Sequence, residues 1–274
     1  MHGTMNLIEI NAEIIADSVS ESGVRLTTMA LIFPRIILPE FNTHRMFSRN
    51  ARSTRAVPTS RLIKEVRESP FVPVYFGLNK PGMQASEEMT VEAQAAALDT
   101  YLASARFAAD SAEKLVELGL HKQHAGRIVE PYTWTYVCVT ATEWDNWFYE
   151  RDHEDAQPEI RLLAQKMQEA MEASKPKLLR VGDWHLPYLT DEDIALDKLS
   201  RLKVSIARCA RVSYKNFDGT KPSVLKDLEL YEKLVGDPPH LSPTEHQATP
   251  LDNADEWSGN FRGWQQFRKT LEAA

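Results

Sequence analysis

The chain has 274 residues, of which 43% are hydrophobic and 26% charged, as in an ordinary soluble protein with a substantial core. Its 32 Lys and Arg against 39 Asp and Glu give a net charge of -7, which disfavours a protein that is basic throughout, as many nucleic-acid binders are. There is no apolar run of about eighteen residues and no basic leader before an apolar stretch, so we expect a cytoplasmic protein without a membrane span or signal peptide.

The first elements form a predicted β-hairpin. Residues 7–17 and 25–38 are rich in β-branched residues, and the segment from Ser20 to Gly23 between them has turn composition. The second strand leads to Pro39, so the segment that follows starts at a strand exit, where functional residues are often supported by a rigid scaffold.

Three helices follow from the spacing of apolar residues. The first spans Val91 to Leu118 and ends at Gly119. Its predicted core-facing residues are Leu98, Leu102, Ala105, Ala109, Ala112 and Val116. The second covers 156–173 and stops before Pro176, and the third covers 223–235. Residues 176–203 are expected to connect the main body to the last part of the chain. This mixture of elements predicts one α/β or α+β domain over residues 1–274.

A basic segment from Thr43 to Arg55 is the most informative part of the sequence. It concentrates arginines, hydroxyl groups and one imidazole, and no acidic residue occurs between Glu40 and Glu65. Such a local reversal of charge in an acidic chain predicts an anionic ligand, above all phosphate. A solvated basic loop or a nucleic-acid patch explains this segment equally well when it is considered alone.

Two further segments carry polar residues in defined patterns. Arg127-Ile-Val-Glu-Pro131 precedes Asn146, Arg151 and the sequence Ala-Gln-Pro-Glu-Ile over 156–160. Near the carboxyl end, Ala-Arg-Val-Ser-Tyr over 210–214 precedes His-Leu-Ser-Pro-Thr-Glu-His over 240–246.

Together the three segments resemble the flavin-dependent thymidylate synthases, the ThyX family. That family has an Arg-His-Arg triplet followed after seven residues by Ser, and here His44-Arg45 and Ser53 are similar, with Thr43 in place of the first Arg. The third segment resembles motifs that lie near the amino end of the usual family member. The resemblance therefore implies a circularly permuted member with a ThyX-like fold, a mixed or antiparallel sheet and long packed helices. Residues 204–269 would correspond to the family's amino-terminal segment.

The resemblance implies two sets of ligand contacts. The residues matching flavin contacts are His44, Arg45, Ser48, Asn50, Asn146, His240, Ser242 and Glu245. The residues matching contacts to the nucleotide are Ser53, Arg55, Arg127 and Arg151. Arg151 matches an Arg beside the pyrimidine, where a fixed cation stabilises negative charge that develops on the ring, so we expect it to be catalytic. The simpler alternative for Arg151 is a surface ion pair with Asp152, Glu154 or Asp155.

Several positions depart from the family pattern. Besides Thr43, the sequence has Ala51 where the family has Glu, and Thr244 where it has Phe. Thr140 and Thr142 stand where Asn and Arg are common. Gln265 and Arg268 resemble the Gln-x-x-Arg that leads into the usual triplet, and we hypothesise that they replace in space the groups that became Glu40 and Thr43. A terminal amphipathic helix that simply packs down remains the alternative for this end of the chain.

The activity implied by the resemblance is reductive methylation of dUMP to dTMP. FAD would be the cofactor, NADPH the reductant and 5,10-methylenetetrahydrofolate the carbon donor, in a homotetramer with no need for a metal. One-carbon transfer to another pyrimidine nucleotide, as dUMP hydroxymethylation or dCMP methylation, is the first alternative, because Ala51 removes a carboxylate. A non-enzymatic nucleic-acid binder using the arginines from Arg45 to Arg61 is the second. Cys138 and Cys209 lie in apolar sequence and are predicted to be buried structural cysteines.

Overall fold

The structure, a computed structural model, describes residues 8–85, 87–212 and 220–272. The strands are β1 Asn11–Ser20, β2 Arg25–Pro34, β3 Ser48–Ala51, β4 Trp134–Ala141, β5 Lys177–Leu179, β6 Ala248–Pro250, β7 Trp257–Ser258, β8 Phe261–Arg262 and β9 Trp264–Gln266. The α-helices are α1 Leu38–Phe41, α2 Thr59–Glu68, α3 Val91–Glu117, α4 Lys122–Ala125, α5 Asp145–Arg151, α6 Pro158–Ala173, α7 Lys198–Arg211, α8 Val224–Val235 and α9 Phe267–Glu272. Short 3-10 helices cover Arg35–Ile37, Glu130–Tyr132, Asp191–Ala195 and Ser242–Glu245.

The predicted hairpin is confirmed, with different strand ends. β1 and β2 pair antiparallel, and Gly23 in the turn has a φ of 85°, a conformation that glycine adopts without strain. The prediction that the second strand continues to residue 38 is wrong. β2 ends at Pro34, and the chain then turns through a 3-10 helix while the Arg35 amide donates to the carbonyl of Thr133 at 3.0 Å.

The main sheet is mixed, as expected. Its strand order is β3-β4-β2-β1-β5, in which β5 runs parallel to β1 and the other neighbours are antiparallel. Residues 176–203 are more than a connection, because they contribute the edge strand β5 and the first turns of α7. Every residue of β4 except Tyr136 is buried, as expected for a strand covered on both faces of its sheet.

The two faces of the sheet differ in chemistry. On one face Met29, Leu31 and Val139 pack against Ile160 and Leu163 of α6 in the main hydrophobic core. The opposite face carries small and polar side chains, among them Ser48, Thr28, Cys138 and Thr140, all buried. This polar face is covered by α7 and by the chain after residue 240, so the last part of the sequence lies directly against the middle of the sheet.

The three predicted helices are confirmed, with one error in a buried face. α3 ends one residue before Leu118, and Gly119 follows with a φ of 85°. Its alanines, Ala105, Ala109 and Ala112 among them, pack against α2. Val116, predicted to face the core, is 44% exposed, because the ten-residue α2 covers only part of the 27-residue α3.

α6 buries its predicted stripe, including Ile160, Leu163 and Met167, and α8 begins after Ser223, whose hydroxyl accepts from the Lys226 amide at 3.3 Å. Residues 210–212 end α7, and the predicted motif residues Ser213 and Tyr214 lie outside the described residues. In the ranges that the structure describes, no helix is both long and apolar enough to cross a bilayer.

Buried charges anchor α7 to its neighbours. Arg208 pairs with Asp193 at 2.6 Å and with Asp227 at 3.0 Å, and all three side chains are at most 4% exposed. Arg211 pairs with Asp227 as well. Because removing one partner of such a pair leaves an uncompensated buried charge, this cluster fixes α7 relative to α8 and to the segment before it.

Candidate active site

The centre of the candidate site is Asn50 on the edge strand β3. Its side-chain amide donates to the Ser242 hydroxyl at 3.3 Å, and its carbonyl oxygen lies 3.0 Å from Nε2 of His246. Asn50 and Ser242 are 192 positions apart in sequence. Two predicted flavin contacts, one from the basic segment and one from the carboxyl-terminal segment, therefore meet at one edge of the sheet.

Ser48 extends this contact into the interior. Its hydroxyl accepts from Nε2 of Gln266 at 3.0 Å, and the same amide donates to the Glu245 carbonyl at 2.9 Å. Gln266 is 2% exposed, whereas the predicted Gln265 is half-buried, because neighbouring side chains of β9 point to opposite faces. Sequence reasoning missed Gln266, although the period-two pattern with Trp264 is the signal that places it inward.

Arg268 and Glu245, both predicted to contact flavin, form an ion pair with each other. Arg268 also donates through Nε to Glu272 at 2.7 Å, and the hydrogen bond to Glu272, opposed by burial and reinforced by Glu245, raises the pKa of Arg268. Arg49 faces the same carboxylate electrostatically while its guanidinium donates to the Phe47 carbonyl at 2.8 Å. The end of the chain is thus tied to the basic segment.

His240 and Arg45 stand at the exposed border of this region. His240 Nε2 lies 3.4 Å from the Ser242 hydroxyl, and both His240 and Arg45 are exposed. Within the described residues Arg45 has no ion pair or side-chain hydrogen bond, so its guanidinium is available to an anionic ligand.

Arg151 lies in a second group, at the end of α5. Its guanidinium pairs with Glu40, and its Nε donates to Nε2 of His44 at 2.9 Å. Asp152, one of the carboxylates that the simpler alternative offered, lies 3.5 Å from Arg161 instead, so the partner of Arg151 is Glu40. Sequence reasoning noted Glu40 only as a departure from the family pattern and missed this contact.

Aromatic rings hold His44 in place. Its ring packs edge-on against Trp147, with centroids 4.7 Å apart, and stacks near Phe47. Burial, and then the positive charge of Arg151, lowers the pKa of His44. Its Nε2 is therefore a hydrogen-bond acceptor for Arg151 at neutral pH.

Asn146 belongs to this second group. It lies in the first turn of α5, is exposed, and donates to Glu150 at 3.2 Å. Glu150 in turn lies 3.7 Å from Arg151. The structure therefore links Asn146 to Arg151 through one carboxylate and gives it no contact with Asn50.

The four predicted nucleotide contacts fall into two places. Thr54, between Ser53 and Arg55, donates to Glu130 at 2.6 Å, and Arg127 lies 3.1 Å from the same carboxylate. Glu130 thus joins the turn that carries Ser53 and Arg55 to Arg127, while Arg151 lies with Glu40. Ser53 and Arg55 are exposed, and Arg55 makes no ion pair among the described residues.

These segments coincide with a known family. Residues 24–177 match the family model described as thymidylate synthase complementing protein, a range that includes two of the three motif segments. The chain belongs to that family. The match ends before residues 204–269, so the permuted order and the domain division remain predictions, as do the roles of individual residues. No curated protein matches the chain in sequence.

Two solved structures illustrate what the fold is similar to. The UMP/dUMP methylase PolB from Streptomyces cacaoi, bound with 5-Br UMP, is 16% identical with a TM-score of 0.51 over 60% of this chain and 88% of its own. The flavin-dependent thymidylate synthase ThyX from Helicobacter pylori, complexed with FAD and dUMP, is 19% identical with a TM-score of 0.36 over 53% of this chain and 67% of its own. At this level of identity, the likeness to PolB concerns the fold.

Proposed function

We propose that this member of the thymidylate synthase complementing protein family is a flavin-dependent thymidylate synthase. It would convert dUMP to dTMP with 5,10-methylenetetrahydrofolate as the carbon donor and NADPH as the reductant. The observation that carries this proposal is the contact between Asn50 and Ser242, because it unites two flavin motifs that are far apart in sequence. Family membership supports it as well.

The groups at this edge suit a dinucleotide with a flat ring system. Asn50 and Ser242 offer an amide and a hydroxyl in directional positions, His240 adds an imidazole, and Arg45 adds an unpaired guanidinium for phosphate. FAD supplies the hydride chemistry when it is bound. The side chains of this protein hold and orient the ligands.

The nucleotide would be held by a different set of side chains. Arg55, Ser53 and Arg127 surround one turn and carry two exposed guanidinium groups, an arrangement that fits a phosphate monoester. Arg151 would stabilise negative charge on the pyrimidine ring, since its guanidinium is positioned on two sides by Glu40 and His44.

The permuted order is part of the proposal. Residues 204–269 would take the place of the family's amino-terminal segment, covering the polar face of the sheet. The contacts of His246 with Asn50 and of Gln266 with Ser48 support this assignment, because they bring the late segment onto β3.

A homotetramer is the proposed assembly. α3 carries Phe107, which is 75% exposed, above a groove lined by Ile128, Pro131 and Tyr132. An exposed aromatic residue beside an apolar groove is typical of an interface between subunits. The nucleotide-binding Arg127 precedes Ile128, so an interface here would lie next to the proposed phosphate site.

One experiment tests the activity directly. The purified chain is examined for a flavin spectrum and is then incubated with dUMP, methylenetetrahydrofolate and NADPH, with products identified by mass spectrometry. Yellow protein that forms dTMP supports the proposal. Protein that neither contains nor takes up flavin contradicts it.

A second candidate, one-carbon transfer to another pyrimidine nucleotide, is favoured by two observations. Ala51 provides no carboxylate on β3, and Glu40 places one against Arg151 instead. A carboxylate in a new position changes which ring edge is accepted. The same assay with dCMP and UMP as substrates distinguishes this candidate, since it predicts a methylated or hydroxymethylated product other than dTMP.

The nucleic-acid alternative is weakened by how the arginines are used. Arg52 pairs with Glu65 at 2.9 Å and lies 4.2 Å above the ring of Tyr136, and Arg49 donates to backbone carbonyls. These two cations therefore serve the fold. Salt-dependent binding of oligonucleotides by flavin-free protein would restore that alternative.

A further inference from the structure

A row of buried side chains crosses the polar face of the sheet and ends at Asn50. It runs from Ser18 on β1 through His185 to Thr28 on β2, with hydrogen bonds of 2.8 Å at each ring nitrogen of His185. Thr28 is 2.6 Å from Thr140 on β4.

The row then continues through His246. Thr140 lies 2.8 Å from His246 Nδ1, and His246 Nε2 lies 3.0 Å from the carbonyl oxygen of Asn50. Every member before Asn50 is buried, with exposures between 0% and 5%. Such a row has to satisfy its hydrogen bonds internally.

Hydrogen-bond chemistry gives this row a direction. A neutral imidazole has one donor and one acceptor nitrogen, and each hydroxyl donates once. If His246 Nε2–H donates to Asn50, its Nδ1 accepts from Thr140. The Thr140 oxygen then accepts from Thr28, Thr28 accepts from His185 Nε2–H, and His185 Nδ1 accepts from Ser18.

The reversed direction is less favourable. It turns the Asn50 amide over, so that its NH2 group faces His246 and its oxygen faces Ser242. At the other end Ser18 would accept from His185, and its own proton would need an acceptor. His185 is the one side-chain hydrogen-bond partner of Ser18 in the described part of the chain, and Ser18 is 5% exposed. A buried donor without a partner is destabilising, so the row is expected to point towards Asn50.

The charge state of the two histidines is consistent with this direction. Burial lowers the pKa of His185 to about 3, so its ring is neutral and has one acceptor nitrogen. The competing arrangement is a His246 imidazolium facing a Cys138 thiolate, since burial raises the pKa of that thiol while Cys209 and His246 lower it. The geometry favours the neutral row, because Cys138 Sγ is 3.6 Å from Nδ1 and the Thr140 oxygen is 2.8 Å from it.

We infer that this row fixes His246 as the Nε2–H tautomer and thereby orients the Asn50 amide with its NH2 group towards Ser242 and the ligand. Thr140, Thr28 and His185 are then positioning residues for Asn50. The row itself depends on the fold alone, whereas its consequence for flavin rests on the proposed function.

The tautomer is measured first, on the unaltered protein. The full chain is labelled with 15N-histidine, and His246 and His185 are assigned by comparison with His246→Gln and His185→Gln. An Nε2–H, Nδ1-unprotonated pattern is expected for both rings. A His246 ring that is protonated at both nitrogens, or at Nδ1 alone, overturns the inference.

The consequence for Asn50 is measured by flavin affinity. Thr140→Val keeps the shape and removes the donor to His246, so the Nε2–H pattern should be lost and the Kd for FAD should rise by roughly three- to tenfold. Thr140→Ser restores the hydroxyl and should restore both properties. Thr135→Val is the matched control on the same strand, because the Thr135 hydroxyl is buried without a hydrogen-bond partner among the described residues.

The outcomes separate the two proposals. Thr140→Val with an unchanged His246 pattern and unchanged FAD affinity overturns the inference, as does an equal loss of affinity in Thr135→Val. Unaltered protein that binds no FAD contradicts the proposed function, while the 15N pattern still supports or overturns the row.

Discussion

Arg151 donates its Nε–H to Nε2 of His44 across 2.9 Å. The same guanidinium is paired with Glu40, and its side chain is only 18% exposed. Arg151 is therefore held from two sides before any ligand binds. A cation that is already oriented stabilises developing charge without the cost of reorganising during the reaction.

Replacement of Arg151 should reduce turnover more than substrate affinity. Arg151→Ala removes the positioned charge, and we expect kcat for the nucleotide to fall by about 10²- to 10³-fold. Steady-state kinetics with saturating flavin measure this effect. A loss confined to KM would contradict the catalytic role and leave Arg151 as a binding residue.

Removal of the Glu40 carboxylate should strengthen nucleotide binding. Glu40 competes with an anionic or electron-rich ligand for Arg151, so Glu40→Gln is expected to lower the nucleotide Kd by roughly threefold or more. Glu143→Gln is the matched control, since Glu143 forms a similarly exposed ion pair with Arg262 at 2.8 Å. Equal effects of both variants would show that net charge, rather than this contact, is responsible.

Arg55 should recognise phosphate. Arg55→Ala is expected to raise KM for the nucleotide monophosphate by about tenfold and to leave binding of the corresponding nucleoside unchanged, because only the monophosphate carries the anionic group. Isothermal titration with both ligands separates the two effects. A similar loss of affinity for the nucleoside would place Arg55 elsewhere in the site.

Arg268 should matter for flavin retention. Its ion pair with Glu245 ties α9 to the 3-10 helix that carries Ser242. Arg268→Ala is expected to weaken FAD binding, measured by flavin fluorescence during gel filtration. Lys269→Ala is the control, because Lys269 lies on the same helix and pairs with Glu272 alone among the described residues. If Arg268→Ala keeps both flavin and nucleotide affinity, the hypothesis that Arg268 replaces the missing triplet Arg is wrong.

The stability of the fold should decrease in mild acid because of His185. Burial lowers its pKa to about 3 in the folded state, against 6.5 for the ordinary group, so the unfolded chain binds the proton more readily. This contribution is complete above pH 6.5 and is lost as the pH falls towards 3. Between pH 7.5 and pH 5 it amounts to about 2 kcal/mol.

Urea unfolding at the two pH values measures this effect. His185→Gln cannot titrate, so its free energy of unfolding should change less with pH than that of the unaltered chain. Asp17, whose pKa is lowered by its hydrogen bonds to Arg25 and Ser174 against the opposing effect of burial, contributes only below its ordinary pKa of 3.8 and does not interfere. An identical pH dependence in both proteins would show that His185 is not the group responsible.

The proposed tetramer should depend on Phe107. Phe107→Asp places a charge on the exposed part of α3 and is expected to shift the protein to smaller species in light scattering. Leu225→Asp on α8 is the control, since Leu225 is 66% exposed but lies on another helix. An unchanged mass for Phe107→Asp would place the subunit interface on a different surface.

The sequence alone was sufficient for local structure and for the family. Apolar periodicity located α3 and α6, the glycine after Leu118 marked a helix end, and Ser223 marked a helix start. These signals are local, since backbone hydrogen bonds, capping and side-chain spacing within one element produce them. The motif around His44 and Ser53 indicated the family because its residue types and spacing are specific.

The tertiary structure decided which polar groups meet. The pairing of β2 with β4 places Thr28 opposite Thr140, and the pairing of β3 with β4 places Ser48 opposite the same residue. A slip of one residue in either pairing would turn these side chains to the other face of the sheet. Strand order, register and the docking of the late segment therefore determine that Glu40 binds Arg151 and that His246 reaches Asn50. No pattern within a single element contains that information, because each contact joins segments whose distance is set only when the whole chain is folded.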